Sequence, residues 1–135
     1  MKSFLDPILR SGPSSFTLTN TRSNRVLATT LLTAFDSDSR RRGLLKQDSM
    51  AEGSALIIAP SNAIHTFFMR FAIDVAFVSK DGRVLKVRPN VPPWRMAGAL
   101  RGFAVIEMPV GALARADTRS GDVLQITTAS PSFTS

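Results

Sequence analysis

Short apolar runs separated by turn residues dominate this chain, and no stretch sustains a helical period for long. Val26-Leu27-Ala28-Thr29-Thr30-Leu31-Leu32-Thr33-Ala34-Phe35 is rich in Thr, Val and Leu and predicts a first strand. The cluster Asp36-Ser37-Asp38-Ser39 that follows is made of N-cap residues, so a short helix is expected to start near Asp36 or Ser37. From Ser54 onward the pattern is strand and turn. Ser54–Ala59 reads as an apolar strand ended by Pro60-Ser61-Asn62, and Ala63–Met69 and Ile73–Val78 as the next two. Asp81-Gly82 between apolar runs predicts a hairpin over Ile73–Val87, with Val84–Val87 as its returning strand. Pro89–Gly98 holds three prolines and reads as a long loop. Ala104–Met108 is a further strand, Gly111–Asp117 one helical turn, and Val123–Thr128 the last strand after Ser120-Gly121-Asp122.

Six or seven short strands with one or two short helices imply a mainly-β fold, a compact sandwich or barrel. Residues 1–20 mix Ser, Thr, Pro and Gly and are expected to form an N-terminal arm or edge segment. Residues 21–129 then make one mainly-β domain and residues 130–135 a C-terminal tail. No internal repeat is visible.

Composition narrows the chemistry more than the fold. At 135 residues and 44% apolar content the chain can build one hydrophobic core. It has no cysteine, which removes disulfides, thiol nucleophiles, thiolate metal sites and iron–sulfur clusters. His65 is the only histidine, so mechanisms that need two imidazoles are excluded too.

Charge is positive and uneven. Seventeen basic residues, thirteen of them arginine, face ten acidic ones, for a net +7. Residues 1–46 hold eight basic and three acidic side chains, a net +5, against nine and seven, a net +2, in residues 47–135. An Arg-rich front suits nucleic acid, an acidic protein or an anionic surface, and equally a solvated basic face that favours solubility. Arg40-Arg41-Arg42 is its densest point, although residues on a helix are about 100° apart and would fan around it. Asp6 and Pro7 interrupt the first apolar run, and no stretch approaches the roughly 18–20 apolar residues that span a bilayer. A cytoplasmic location with no membrane association is the expectation.

Chemistry-bearing residues concentrate in Ile64–Phe77. Strand alternation puts His65, Phe67 and Met69 on one face with Thr66, Phe68 and Arg70 on the other, and Ile73, Val75 and Phe77 opposite Asp74 and Ala76. Arg70 and Asp74 flank the Phe71-Ala72 link and can pair if the chain bends there.

Eight pieces occur in a recognisable order: Arg42-Gly43-Leu44-Leu45, Ile64-His65-Thr66, Met69-Arg70-Phe71, Ile73-Asp74-Val75, Asp81-Gly82, Pro93-Trp94-Arg95, Glu107 with Gly111, and Gly121-Asp122. Over about residues 26–128 this order resembles the bacterial and archaeal family called domain of unknown function 192. The resemblance implies a compact, mainly-β, jelly-roll-like domain and a cluster of positions, without an assigned activity. The family's commoner form carries a Trp-Met pair where this chain has Phe68-Met69, so the His65-Thr66 form resembles a subgroup.

Each candidate has a functional and a structural reading. An imidazole can serve as a general base or a metal ligand, so His65 reads as one of these or as a hydrogen-bonded strand histidine. Asp74, among Ile, Val, Ala and Phe, needs a partner if buried: Arg70, Arg95 or backbone N–H groups. Glu107 ends an apolar strand and has the same ambiguity, and a divalent ion between Asp74, Glu107 and His65 is chemically conceivable. Pro92-Pro93-Trp94-Arg95 sets the only tryptophan beside a cation on a stiffened loop, a ligand platform or a lid. No nucleophile elbow, Ser-x-x-Lys motif or phosphate-cradling glycine loop is present.

The favoured reading is a non-enzymatic binding or accessory protein. Its pocket would draw on His65, Thr66, Arg70, Asp74, Trp94, Arg95 and Glu107 and take a small anionic ligand or a protein partner. The alternative is a hydrolase-type enzyme using His65, Asp74 or Glu107, with or without a divalent metal. The third is nucleic-acid binding through the basic N-terminal third, Arg40-Arg41-Arg42 included, disfavoured because the nine Phe sit mostly in core-like patterns and there is no Tyr. Which cofactor, if any, takes part does not follow from the sequence.

Overall fold

Three strands are mostly apolar and are buried along their whole length on both faces, as central strands of a covered sheet are. They are β4 (Ser54–Ile58), β6 (Ile73–Val78) and β9 (Ala104–Pro109). They form the middle of a five-stranded sheet completed by β3 (Thr30–Ala34) and β7 (Val84–Val91), in the order β3-β4-β9-β6-β7. The computed structural model describes residues 2–11 and 15–128; the tail expected over residues 130–135 lies outside them.

A second sheet has β1 (Phe16–Asn20) at its centre, with β10 (Leu124–Thr128) and β2 (Arg25–Ala28) antiparallel on either side. Its Phe16, Leu18, Leu27, Leu124 and Ile126 pack on Ala55, Ile57, Ala76, Val78, Ile106 and Met108 of the large sheet. Helix α1 (Asp6–Ser11), preceded by the buried Phe4 and Leu5, and helix α3 (Ala112–Arg115) border the same core. The architecture is therefore mainly β and sandwich-like, and the described strands close no barrel. A hard backbone constraint lies in the β6–β7 turn. Gly82 has φ +88, and a Cβ there would lie 2.5 Å from the carbonyl oxygen of Leu124.

The other face of the large sheet carries Leu56, Ile58, Ile73, Val75, Phe77 and Val105. It is covered by Leu44, Met69 and Ile64 and by a two-stranded ribbon, β5 (Ala63–His65) against β8 (Met96–Gly98). Lys86 on β7 donates to the Gly98 carbonyl at 2.9 Å and ties the ribbon to the sheet. Helix α2 (Ser37–Arg42) lies in the crossover between the parallel strands β3 and β4. Asp36 is its N-cap and accepts from Ser39 N at 2.7 Å, as the capping pattern predicts.

Three expectations shift. Val26–Phe35 is two strands, because the chain changes sheet at Thr29, where the N–H groups of Thr29 and Thr30 both donate to Gly53 O. The strand expected over Ala63–Met69 stops at His65, as Phe68 adopts φ +66 and Met69 N turns back to Thr66 O. The loop expected over Pro89–Gly98 is largely extended. Proline is tolerated there because β7 is an edge strand, and β8 follows it.

Candidate functional site

Pairing between β6 and β9 sets Val75 opposite Glu107 and Asp74 opposite Met108. Alternation then sends the two carboxylates to opposite faces of the sheet. Asp74, 1% exposed, sits on the sandwich side with Met108. It accepts from Asn90 N at 2.9 Å, Gly111 N at 3.0 Å and Leu113 N at 3.1 Å. It thus fastens both a positive-φ residue of β7 and the start of α3 to β6. Arg70 pairs instead with the exposed Asp48 at 2.8 Å.

Glu107 lies on the ribbon side, flanked in register by Leu56 and Val75. It is 3% exposed. Burial alone pushes its carboxyl up to about 7, with no hydrogen bond or neighbouring charge to offset it. Among the described residues no fully occluded side-chain polar atom lacks a partner. The unpartnered carboxyl oxygens of Glu107 therefore open onto space, and that space is a cavity of about 510 Å³.

The cavity is built by β9, β4, β5 and α2 with the turn after it. Its floor is Glu107 of β9 and Ile58 of β4; one wall is Ala63, Ile64 and His65 of β5; the other is α2 and the turn after it, from Arg40 to Leu45. Arg40 is fixed by donating to Phe35 O at 2.6 Å, and Arg41 pairs with Asp38 at 3.1 Å across an exposed helix turn. Arg42 has no ion-pair partner within the described residues. The helix ends at Gly43, whose φ of +43 turns the chain so that Leu44 enters the core while the three arginines stay at the cavity wall. The lining thus combines a protonatable carboxyl with three arginines, a histidine and the apolar Leu44, Leu45, Ile58 and Met69. Its volume is in the range that holds small molecules.

Of the residues singled out from sequence, His65 and Glu107 share this cavity and Asp74 does not. A metal held jointly by Asp74, Glu107 and His65 is not assembled, and no cluster of three ligating side chains occurs among the described residues. Thr66, Trp94 and Arg95 meet elsewhere. The buried Thr66 hydroxyl donates to Pro92 O at 2.7 Å and accepts from Arg95 N at 2.9 Å, while its backbone exchanges bonds with Trp94 and Arg95. Arg40, Arg41, Arg42, Leu44 and Leu45 were not placed in the site by sequence. The signal available was the strand–helix–strand order, which implies a parallel crossover with its helix over one face of the sheet.

A second cavity, of about 540 Å³, lies between Lys2–Pro7 and β10. Its carboxylate, Asp81, is exposed and engaged by Ser79 Oγ and Arg83 N, so it offers no comparable unsatisfied group.

The class of domain is thus a mainly-β, sandwich-like one. Residues 18–126 match the family DUF192, described as an uncharacterized ACR, and the chain belongs to that family. It also resembles a crystal structure of a protein of unknown function from Novosphingobium aromaticivorans, with 24% identity, TM-score 0.70, and 82% of this chain and 83% of that one covered. A crystal structure from Sinorhizobium meliloti, called a "putative transcription regulator", aligns with 19% identity, TM-score 0.71, and coverage of 85% and 97%. At these identities the likeness is one of fold. No curated protein is similar enough to match the chain. No helix of the described residues is long and apolar enough to cross a membrane.

Proposed function

We propose that the chain is a binding protein for a small anionic ligand, held in the cavity formed by Arg40, Arg41, Arg42, His65 and Glu107. One observation carries this reading: a carboxyl buried without a partner opens into a cavity walled by arginines. Guanidinium groups suit the planar, bidentate binding of carboxylate or phosphate. A protonated Glu107 can both donate and accept a hydrogen bond, so it suits a hydroxyl or carbonyl at the far end of the same ligand. The apolar walls favour a short carbon skeleton between the two ends. Of the pocket expected from sequence this reading keeps His65 and Glu107, and it gives Arg40–Arg42 the role expected there of Arg70 and Arg95.

The test is thermal melting with inorganic phosphate, sulfate and small hydroxy- and keto-carboxylates. Saturation at a hundred times the dissociation constant stabilises a protein by about 2.7 kcal/mol, a shift of several degrees. At least one of these anions is expected to produce the shift, and Arg41→Ala combined with Arg42→Ala is expected to abolish it. No shift with any anion, or one indifferent to the two arginines, rejects the reading.

A hydrolase-type enzyme is the second reading, favoured by one fact: Glu107 titrates near the pH at which general acids and bases work best and shares its cavity with His65. Ester or phosphoester turnover lost in Glu107→Gln would support it; turnover unchanged in that variant would remove it.

A further inference from the structure

An aromatic ramp leads away from the mouth of this cavity. His65, on the cavity wall, lies 5.1 Å between ring centroids from Phe67. Phe67 stacks on Trp94 at 5.9 Å, and Trp94 meets the edge of Phe68 at 4.7 Å. The last two rings are not core: Phe68 is 71% exposed and Trp94 56%. Both sit at left-handed backbone angles, φ +66 and +68, a conformation unusual for bulky residues that local structure must enforce. The enforcing contacts are on Thr66, whose carbonyl accepts from both Met69 N and Trp94 N and whose hydroxyl holds Pro92 and Arg95. Strained backbone, a buried clamp and exposed rings together describe a surface held out for contact. Its setting is cationic, with Arg70 and Arg95 exposed beside the rings in sequence and Arg40–Arg42 across the cavity.

We propose that Trp94, flanked by the edge-on Phe68, stacks the planar ring of the same ligand whose anionic group the cavity holds. The ligand class is then a heteroaromatic ring joined to a phosphate through a short linker, the chemistry of a nucleoside monophosphate. This rests on the anion-binding reading above. The linker is required because Phe67 separates the ramp from the cavity wall. A broad apolar partner fits less well, since the ramp is continuous with a polar cavity through His65.

Trp94 is the only tryptophan and the chain has no tyrosine, so intrinsic emission reports this one ring. The probes are AMP, GMP, CMP and UMP, each compared with its nucleoside and with ribose 5-phosphate, by fluorescence and by calorimetry. At least one nucleotide is expected to quench Trp94 and to bind at least tenfold tighter than ribose 5-phosphate, the scale of one stacked base. Trp94→Leu should erase that advantage while leaving ribose 5-phosphate affinity unchanged, and Trp94→Phe should keep most of it. Equal binding of nucleotides and ribose 5-phosphate with Trp94 emission unmoved overturns the ramp and leaves the cavity reading standing. No binding by any of these phosphates overturns the ramp as well, and a negative result in the anion melting series then removes the cavity reading separately.

Discussion

Asp74 and Glu107 lie on adjacent antiparallel strands, one register step apart, and face opposite sides of one sheet. The first is satisfied by three backbone N–H groups, and the second has no partner and opens into a cavity. Two buried carboxylates that look equivalent in sequence therefore have different surroundings, one fastening the fold and the other facing a cavity.

For Asp74 the expected consequence is structural. Asp74→Ala leaves three N–H donors without their acceptor, each costing on the order of 1–3 kcal/mol where it is buried. A loss of roughly 3–5 kcal/mol is expected, measured by chemical denaturation, with a smaller loss for Asp74→Asn, which keeps one acceptor oxygen. If Asp74→Ala stays folded, anion affinity should be nearly unchanged. A large affinity loss at unchanged stability would place Asp74 in the site after all.

Glu107 predicts a pH dependence whose sign differs from that of a paired carboxylate. Its pKa is about 7 in the folded chain against an ordinary 4.5. Below about 4.5 the carboxyl is protonated in both folded and unfolded chains and contributes no linkage. Between the two values the folded chain keeps a proton that the unfolded chain has released, so stability falls as pH rises. Above about 7 the folded state carries the whole cost of a buried charge, on the order of 3 kcal/mol. Glu107→Gln should therefore match the parent near pH 4 and exceed its stability at pH 8. Parallel stability curves from pH 4 to 8 would show that Glu107 is not held neutral by burial.

Thr66 predicts a local effect. Thr66→Val removes the hydroxyl that bonds Pro92 O and Arg95 N and should release the Trp94 loop. Emission from Trp94 should shift to the red and its anisotropy fall, with about 1–3 kcal/mol of stability lost. Phosphate binding in the cavity should persist, because Thr66 is not part of its lining. Unchanged emission would mean the loop is held by other contacts.

Much of this was legible from the alternation of residues. Ile73, Val75 and Phe77 do share a face opposite Asp74, and the Asp81-Gly82 turn does close the β6–β7 hairpin. The helix start at Asp36 follows from its capping chemistry. What the chain did not reveal is which strands are neighbours. Glu107 reads as one more strand-end acid until its lateral neighbours are seen to be Leu56 and Val75. Arg40–Arg42 read as a charge run until the crossover from β3 to β4 sets them over the same face as Glu107. Trp94 and Phe68 are far apart in sequence and meet only because Thr66 binds the Pro92–Arg95 segment. Local pattern fixes elements and faces; a site between elements depends on pairings set by the whole core.

The measurement closest to the central claim is a phosphate titration followed by amide chemical shifts in isotope-labelled protein. The account predicts saturable shifts concentrated on Arg40–Leu45, Ala63–His65 and Glu107, lost in the Arg41→Ala, Arg42→Ala double variant. Shifts spread over every exposed arginine without saturation, or centred on Asp74, Asn90 and Gly111, would contradict it.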